Sequence, residues 1–389
     1  AQPQANPFEE EQRAMKNQIA GILILALSLL IPAAAGIAAT ATEPGKVTGG
    51  KMSAHPEWFK ESFLDIAEDV DEASEAGKHV ILFMHLNGCP YCYKMTEENF
   101  KNAPYTPFIK AHFDVIAINI KGDREIAFDA DTSVTEKQLA ELLKVRYTPT
   151  VLFLDGDNKT VLRLNGYRSV AAFEYALKYV QEKAYQRTTL SRYIEEQQPA
   201  QRYAFRDHPQ LQSITDLQSV ADKPLALLFE DSSCDACDAL HDGHLQNPQI
   251  LEALENFTFV RLDANSTAPI IDPTGKSTTA KDFAEQLGLS YRPGIVLFDQ
   301  GKEISRIDGL LYTYHFEGVL RYVGEGHYRQ YPDSFYDYLN VRTAEILQSG
   351  KDVDLGYYYS RKVPWYTRAT HRNLDRPRTW ALVRALIAQ

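Results

Sequence analysis

The stretch HVILFMHLNGCPYC, residues 79–92, decides the fold. It begins with an apolar run rich in β-forming residues, passes through a polar turn that contains Gly88, and ends in two cysteines separated by Pro90 and Tyr91. An apolar run of this length, bounded by turn residues, predicts a buried strand. Proline is favoured in the first turn of a helix, where its missing N–H would have no helical partner, so Pro90 predicts that a helix begins at the cysteine pair.

The chain contains this pattern twice, with a step of about 145 residues from Cys89 to Cys234. Solenoid repeats are only about 20 to 50 residues long, so this spacing predicts two domains of one type. The matching segments are 79–92 with PLALLFEDSSCDAC (224–237), FDVIAINI (113–120) with FTFVRLDA (257–264), and LAELLKVRYTPTVLFLDGDNKTVLRLNGY (139–167) with FAEQLGLSYRPGIVLFDQGKEISRIDGLL (283–311).

Each copy has the order strand, CxxC, helix, strand, helix, Tyr-x-Pro, strand, turn, strand and helix. The apolar runs VLFLD and TVLRL are separated by the turn residues GDNK, which predicts a β-hairpin, and TEKQLAELLKV (135–145) has helical spacing. Alternating strands and helices predict an α/β layer fold. We therefore expect two tandem domains, each with a central mixed sheet flanked by helices.

These motifs resemble the thioredoxin fold, in which a CxxC between strand and helix is followed later by a proline that opens a hairpin. The segments NGCPYC, INIKGDREI, YTPTVLFLD and RLNGY resemble more narrowly the SoxW-type periplasmic thioredoxins, over residues 57–185. The second unit, residues 213–330, resembles them less closely, and QSGKDVDLG (348–356) is similar to the end of such a protein. The resemblance implies two tandem thioredoxin-like domains.

The resemblance also implies roles for residues that lie far from the cysteines in sequence. In the family the hairpin proline, here Pro149, is cis and lies opposite the cysteine pair. It leaves the backbone of Thr148 free to bind an extended substrate chain. Pro293 holds the same place in the second unit, where Arg292 precedes it and could offset nearby acids or contact an anionic ligand.

One functional group of the family is missing from the first unit. Cytosolic thioredoxins carry a buried acid six residues before the first cysteine, and Phe83 stands at that position here. His85 is the candidate substitute for this proton-transfer group, because histidine titrates near neutral pH. The alternative is a histidine that is simply packed or exposed at the end of a strand.

The spacing of the cysteines indicates redox chemistry. All four cysteines fall in the two pairs, and a disulfide that closes so short a loop removes little chain entropy. At a helix N-terminus, unpaired N–H groups and the helix dipole lower the pKa of the first cysteine. We interpret Cys89 as the nucleophile and Cys92 as the resolving thiol. Pro90 and Tyr91 are interpreted as substrate-facing residues beside the sulfur, with a packing role for Tyr91 as the alternative.

The second pair, Cys234 and Cys237, has acidic neighbours. Asp235 lies between the cysteines, and Glu230, Asp231 and Asp238 are close in sequence. Negative charge near a thiol disfavours the thiolate and raises the thiol's pKa. The pair is therefore interpreted as a second redox site of lower reactivity, and an inert disulfide or a metal site stays open as an alternative.

A metal site would use the histidines that follow the second pair. Cys237, His241 and His244 have the spacing of one helical face, and Cys234 precedes them by one turn. Two thiolates and two imidazoles form a ligand set that suits zinc or copper. One continuous helix does not easily provide four tetrahedral ligands, so the leading interpretation includes no metal and no cofactor. A single four-thiolate site that joins both pairs is the remaining metal alternative.

The N-terminal region has the pattern of a secretory signal. Lys16 precedes the apolar run IAGILILALSLLI (19–31), which is followed by small residues and an Ala-x-Ala end at residues 39–41. Met15 is a candidate for the true start. An uncleaved membrane anchor is the alternative, because residues 19–39 are long enough to span a bilayer. Either interpretation places the rest of the chain in the periplasm.

The composition argues against some partners. A net charge of −11 disfavours nucleic acid, whose phosphates need a clustered positive surface. The sequence contains neither a phosphate-binding Gly-x-x-x-x-Gly-Lys motif nor His-Glu-x-x-His. The predicted organisation is a signal peptide or anchor at 1–41, a linker at 42–56, domain 1 at 57–186, a connector at 187–212, domain 2 at 213–330, and an aromatic and basic extension at 331–389.

The leading hypothesis is an exported thiol–disulfide oxidoreductase that exchanges disulfides with protein substrates through the CPYC pair. Because the compartment would be oxidising, the expected reductive direction needs electrons from a membrane thiol donor. Two alternatives stay open, namely a scaffold that binds partners through thioredoxin folds and a periplasmic metal-binding chaperone. The C-terminal extension is predicted either to dock a partner or to wrap on domain 2.

Overall fold

The computed structural model describes residues 43–197 and 203–359, apart from residues 221, 235 and 333. The described residues therefore do not include the predicted signal or anchor segment, Asp235 with its predicted effect on the second pair, or the basic end of the C-terminal extension. Among the described residues, no helix is both long enough and apolar enough to cross a membrane.

A four-stranded mixed sheet forms the centre of domain 1. In chain order the elements of this part are β1 (Val47–Thr48), α1 (Ile66–Glu75), β2 (His79–His85), α2 (Pro90–Met95), α3 (Thr106–His112), β3 (Phe113–Asn119), β4 (Glu125–Asp129), β5 (Thr132–Thr135), α4 (Glu136–Leu142), β6 (Thr150–Leu154), β7 (Thr160–Asn165) and α5 (Val170–Gln181). The strand order is β3-β2-β6-β7, with β2 parallel to β3 and antiparallel to β6.

Domain 2 has the same strand arrangement. After the connector helix α6 (Leu190–Gln197), its elements are β8 (Leu225–Glu230), α7 (Cys237–Asp242), α8 (Pro248–Leu254), β9 (Thr258–Asp263), β10 (Pro269–Ile271), β11 (Ser277–Thr279), α9 (Ala280–Gln286), β12 (Gly294–Asp299), β13 (Lys302–Ile307), α10 (Thr313–Gly324), α11 (Phe335–Gln348) and β14 (Val353–Asp354). Its sheet has the order β9-β8-β12-β13, with β8 parallel to β9 and antiparallel to β12. The predicted fold class, two tandem α/β domains, is confirmed.

The central strands are apolar along their whole length because both faces of each sheet are covered. In β2, Ile81 and Phe83 belong to one core cluster, while Leu82 and Met84 belong to the cluster on the opposite face. A strand that is buried on both faces reads as a continuous apolar run rather than as an alternating one. This explains why HVILFMH specifies the centre of the sheet.

The hairpin predicted around GDNK is the antiparallel pair β6–β7, and the helical spacing at 135–145 corresponds to α4. Thr135 Oγ1 accepts the backbone N–H of Gln138, and the Thr135 N–H donates to Gln138 Oε1 in return, which is a capping box. Two short hairpins, β4–β5 and β10–β11, are not predicted from the sequence. Their strands are short and partly polar, so they carry no strong periodic signal.

The two domains contact each other through equivalent loops. Tyr167, which follows β7, and Leu310, which follows β13, form an antiparallel bridge. A Cβ on Gly309 would lie 2.7 Å from the carbonyl oxygen of Asn165, so only glycine permits this close approach. The buried Arg168 of domain 1 donates to Ser290 Oγ of domain 2 at 3.1 Å. The backbones are therefore in direct contact at this interface.

The segment after domain 2 packs back on the molecule. Helix α11 contacts α10, and β14 pairs in parallel with β1, which joins the start and the end of the described chain. The described part of the predicted C-terminal extension thus wraps on domain 2, and through Tyr336 it also reaches domain 1.

Candidate active site

Cys89 caps the helix that carries the first pair. Its backbone is extended, Pro90 follows in the first turn of α2, and the backbone N–H of Cys92 donates to Cys89 Sγ at 3.1 Å. The two cysteines form a disulfide and are only 7% and 5% exposed. The predicted strand–CxxC–helix arrangement is therefore present, and a backbone donor is directed at the first sulfur.

The proline loop lies beside the first pair. The Thr148–Pro149 and Arg292–Pro293 peptide bonds are both cis. Cys89 Sγ lies 3.6 Å from the carbonyl oxygen of Thr148 and 3.5 Å from its Oγ1. Thr148 and Cys89 are thus brought together as the sequence analysis expected, and both border the same cavity.

Domain 2 covers the surface next to the first pair. The ring of Tyr91 stacks on Tyr312 with centroids 4.7 Å apart, and its hydroxyl accepts the backbone N–H of Tyr312 at 2.7 Å. The same hydroxyl lies 3.0 Å from Nδ1 of His315. Tyr91 is therefore a buried contact between the domains, which matches the packing alternative rather than an open substrate surface.

Helix α11 covers the proline loop from the other side. The hydroxyl of Tyr336 lies 3.4 Å from Thr148 Oγ1 and also bonds the Thr148 backbone. Burial raises the pKa of Tyr336, so this hydroxyl stays protonated. The Thr148 backbone, expected to be free for a substrate chain, is contacted by the protein itself. Tyr312, His315 and Tyr336 are not predicted from the sequence, because no local pattern marks these contacts.

His85 lies in an aromatic cluster. Its ring packs edge-on against His55, with centroids 4.5 Å apart, and stacks on Phe83. Burial, helped by the positive charge that His55 can carry, lowers the pKa of His85 to about 4. The ring is therefore a weak base at neutral pH, so the structure favours a packed histidine over a proton acceptor.

A cavity of about 330 Å³ lies between the first pair and domain 2. Cys89 and Thr148 form its wall on the domain 1 side. On the other side the wall consists mainly of apolar groups, which include Leu310, Leu311 and Leu339. Cys89 therefore lines a partly open cavity of small-molecule size.

The second pair is buried under the connector. Cys234 and Cys237 form a disulfide, are 4% and 0% exposed, and pack against Tyr203. Helix α7 begins only at Cys237, with Ala236 as its cap residue. Cys234 therefore does not cap its helix, whereas Cys89 caps α2.

The acids around the second pair have partners. Glu230 Oε1 accepts the Tyr203 hydroxyl at 3.0 Å and lies 2.9 Å from Nε2 of His241. Arg292 pairs with Asp231 at 2.9 Å, which matches the interpretation that it offsets nearby acids. Arg206 also pairs with Asp238, at 3.1 Å. Because arginines pair with Asp231 and Asp238, these two carboxylates disfavour a Cys234 thiolate less than the sequence alone indicated.

The proposed metal ligands do not share one helical face. Helix α7 ends at Asp242, and Gly243 leaves the helical backbone conformation before His244. His241 bonds Glu230, whereas Nε2 of His244 lies 2.9 Å from the carbonyl oxygen of Leu311. The described residues contain no group of three or more potential ligands arranged to hold a metal ion. The continuous helix assumed for this site was therefore wrong.

The C-terminal segment crosses the groove beside the second pair. The ring of Tyr358 packs on His244, with centroids 4.4 Å apart, and its hydroxyl donates to the carbonyl oxygen of Ala239 at 3.0 Å. Thr313 binds this segment on both sides, because its N–H donates to Tyr357 and its Oγ1 accepts from Tyr359. Segments of the chain thus lie against both cysteine pairs.

The fold and the two sites define a protein with two tandem thioredoxin-fold domains, each with a CxxC disulfide and a cis-proline bond. The thioredoxin-like domain family matches residues 66–181 and 212–324, which together exceed half of the sequence, and the chain belongs to this family. The narrower resemblance to SoxW-type thioredoxins stays a prediction.

Several solved structures are similar to part of the chain. A thioredoxin-fold protein from Helicobacter pylori is 26% identical, with 31% of this chain and 84% of that chain covered and a TM-score of 0.28. A thioredoxin from Thermus thermophilus is 25% identical, with 30% and 83% covered and a TM-score of 0.24. The oxidoreductase DsbH is 17% identical, with 34% and 92% covered and a TM-score of 0.25. No curated protein matches the chain.

Proposed function

We propose that the protein is a thiol–disulfide oxidoreductase whose reacting pair is Cys89 and Cys92. The observation that carries this proposal is the position of Cys89 at the start of α2, where the N–H of Cys92 donates to its sulfur. In the reduced protein the same N–H stabilises the thiolate, which lowers the pKa of Cys89 and supplies the nucleophile.

In the reductive direction, the Cys89 thiolate attacks one sulfur of a substrate disulfide. A Cys89–substrate disulfide forms, the substrate's S–S bond breaks, and the other substrate sulfur leaves as a thiolate. Cys92 then loses its proton and attacks Cys89 Sγ, which forms the Cys89–Cys92 disulfide and releases the second substrate thiolate. The substrate gains two electrons and two protons, one from Cys92 and one from solvent, and the cysteine pair loses two electrons.

The cellular setting is the finer part of the proposal. The signal-like segment before residue 42 supports an exported, periplasmic protein. In an oxidising compartment, a reductase needs an external thiol donor, for which a membrane thiol protein is the proposed source. Protein disulfides are the proposed physiological substrates. To reach Cys89 by the family's backbone mode, a polypeptide would have to displace Tyr336 from Thr148.

We propose a secondary role for Cys234 and Cys237. Neither cysteine is among the described residues that line the cavities of about 330 and 360 Å³. Tyr203 packs on this disulfide, and the Tyr358 hydroxyl donates to the carbonyl oxygen of Ala239, two residues after Cys237. The second pair is thus expected to exchange more slowly than the first and to contribute to the stability of domain 2.

The test is a redox titration of the full chain in dithiothreitol buffers of graded potential, with free thiols alkylated and counted by mass. The Cys234→Ser/Cys237→Ser double variant reports the first pair, and Cys89→Ser/Cys92→Ser reports the second. Cys92→Ala should trap a substrate disulfide on Cys89, with Cys237→Ala as the matched control that traps far less.

A scaffold is the second candidate function, and the coverage of both pairs by the chain itself favours it. If the first pair fails to exchange with dithiothreitol or glutathione while the protein is folded, and Cys92→Ala traps no substrate, the oxidoreductase proposal is wrong and the scaffold remains.

A further inference from the structure

The cavity beside Cys89 has one reactive group in its wall. Cys89, whose sulfur is assigned above as the nucleophile, lines the cavity together with Gly88 and Thr148. A molecule inside this space would therefore meet a sulfur that can form a covalent bond. Since the volume of about 330 Å³ lies at the small end of ordinary ligand pockets, the space suits a small molecule rather than a folded protein.

The surfaces that a polypeptide would need are engaged by the chain itself. Tyr336 contacts both the side chain and the backbone of Thr148. On the other side of the first sulfur, Tyr312 stacks on Tyr91 and donates its backbone N–H to the Tyr91 hydroxyl. In this arrangement of the domains, a small disulfide can occupy the cavity without displacing these contacts, whereas a protein substrate cannot bind without moving them.

The two charged side chains in the cavity wall each lie near an opposite charge. Arg306 and Asp308 are the charged side chains among its described lining residues. The Arg306 guanidinium is paired with Glu303, and Asp308 is buried near Arg168. A charged ligand would lose its hydration without gaining a free counter-ion, and such desolvation is costly. The remaining wall, with Leu310, Leu311 and Leu339, favours apolar groups.

We propose that the cavity beside Cys89 is a binding site for small neutral organic disulfides and their thiols, which are substrates of the Cys89–Cys92 pair. The inference rests on the oxidoreductase function proposed above and adds its substrate class. The reduced pair transfers two electrons to the bound disulfide by the two exchange steps already described, and two small thiols leave. The reverse reaction, in which two small thiols reduce the protein disulfide, uses the same site.

The test compares disulfides of nearly equal size and different charge. The reduced full chain is mixed with 2-hydroxyethyl disulfide, which is neutral, with cystamine, which is cationic, and with dithiodiglycolate, which is anionic. Each rate constant is divided by that of free dithiothreitol with the same disulfide, which removes differences in intrinsic reactivity. We expect the neutral compound to react at least ~10-fold faster than both charged analogues, and faster than the disulfides of insulin.

A cavity-filling variant gives an independent measurement. Leu339→Trp narrows the cavity and should lower the rate with 2-hydroxyethyl disulfide by about 5-fold or more, since added bulk occupies the ligand's space. Leu142→Trp, at a side chain that is 58% exposed, is the matched control and should leave the rate unchanged. Near-ultraviolet circular dichroism verifies that each variant is folded.

The outcomes separate the two proposals. Equal normalised rates for the neutral and charged disulfides, or faster reaction with insulin, would overturn the substrate class while the oxidoreductase function stands. If none of these disulfides reacts with the reduced pair, the proposed function itself fails, and the substrate class fails with it. The charge series needs only the unmodified chain, so a variant that does not fold cannot decide the result.

Discussion

At the scale of single residues, the two sites differ most at the position four residues before the first cysteine. In domain 1 this residue is His85, a ring packed among His55 and Phe83. In domain 2 it is Glu230, a fully buried acid that contacts Tyr203 and His241. Both side chains stand at the end of the central strand. The two domains thus share this backbone position but differ in its side chain. In domain 1 the histidine packs among aromatic rings, and in domain 2 the acid is hydrogen-bonded.

A buried histidine at the domain interface makes stability depend on pH. Burial lowers the pKa of His315 to about 4, below the usual 6.5, so the folded protein keeps this ring neutral. Between about pH 6.5 and pH 4 the unfolded chain therefore binds more protons at this residue than the folded protein does. The free energy of unfolding must fall as the pH falls through this window, by up to about 1.4 kcal/mol per pH unit for this residue.

The His315→Gln variant should have a smaller pH dependence, because glutamine can still hydrogen-bond the Tyr91 hydroxyl but does not titrate. Urea unfolding at pH 7 and pH 4.5 measures the difference. His112→Gln is the control, since this histidine lies at the C-terminal end of α3 and is only partly buried. Parallel slopes for the wild type and His315→Gln would show that the ring of His315 is not held neutral by burial.

At the scale of elements, helix α11 contacts the first site through Tyr336. Ser334 caps this helix by accepting the N–H of Asp337 at 3.2 Å, and Tyr336 in the first turn contacts Thr148. Removing the cap costs about 1 kcal/mol of helix stability, and removing the Tyr336 side chain frees Thr148 directly. Both changes should expose the Thr148 backbone to an extended polypeptide.

We therefore expect Tyr336→Ala to raise the rate of insulin reduction by several-fold and Ser334→Ala to raise it by a smaller factor. The turbidity of precipitating insulin chains measures the rate. Ser349→Ala, at the opposite end of the helix, is the control and should have no effect on this rate. If insulin reduction is unchanged in Tyr336→Ala, the contact with Thr148 does not limit access of proteins.

As Tyr336 of α11 lies near the first cysteine pair, the segment around Tyr358 lies near the second. Its ring packs on His244, and its hydroxyl bonds the turn of α7 next to the second pair. The Tyr358→Ala variant should therefore increase the rate at which dithiothreitol reduces the Cys234–Cys237 disulfide. Quenched alkylation and mass spectrometry follow the reaction, and the Cys89–Cys92 rate in the same sample serves as the control. An unchanged ratio of the two rates would show that Tyr358 does not protect the second pair.

The sequence predicts those elements whose signals are local. The run HVILFMH specifies β2, the turn GDNK specifies the β6–β7 hairpin, and Pro90 marks the start of α2. The break of α7 at Gly243 was missed, because the i, i+4 and i+7 spacing of its cysteine and histidines fits a longer helix. A single glycine is a weak stop signal inside such a pattern.

The sequence does not predict the residues that cover the two sites. Tyr312 and His315 lie more than two hundred residues from Tyr91, and Tyr336 lies 188 residues from Thr148. Such contacts depend on how the domains pack, and no periodicity or motif encodes them. Tyr203 is closer in sequence to the second pair, but it lies in the connector, and an aromatic residue there does not indicate packing against a disulfide.

At the scale of the whole molecule, the two domains meet through segments that are equivalent in the repeat. Tyr167 and Leu310 follow corresponding final strands and pair with each other. An antiparallel contact between equivalent positions is the arrangement of an isologous interface, as in a symmetric dimer. Gly309 allows the close approach, and the buried Arg168 and Asp308 are placed beside it, 3.8 Å apart. The interface thus contains a locally symmetric backbone contact and, beside it, the ion pair of Arg168 and Asp308, which does not follow that symmetry.

The charged pair makes the stability of this interface sensitive to pH in a defined direction. Burial raises the pKa of Asp308 despite the opposing attraction of Arg168, so the folded state tends to protonate this acid. A raised carboxyl pKa contributes stability at low pH that is lost as the pH rises through it. Without Arg168 the pKa of Asp308 must rise further, because the main opposing charge is gone.

Arg168→Met should therefore lower the free energy of unfolding by about 3 to 5 kcal/mol at pH 8, where it leaves a buried carboxylate unpaired, and by clearly less at pH 5, where Asp308 takes up a proton. Adding Asp308→Asn to this variant should recover part of the loss at pH 8 and remove the difference between the two pH values. Urea unfolding of the wild type, both single variants and the double variant completes the cycle. If Arg168→Met loses the same free energy at both pH values, the loss reflects side-chain packing and the hydrogen bond to Ser290 rather than the charge of Asp308.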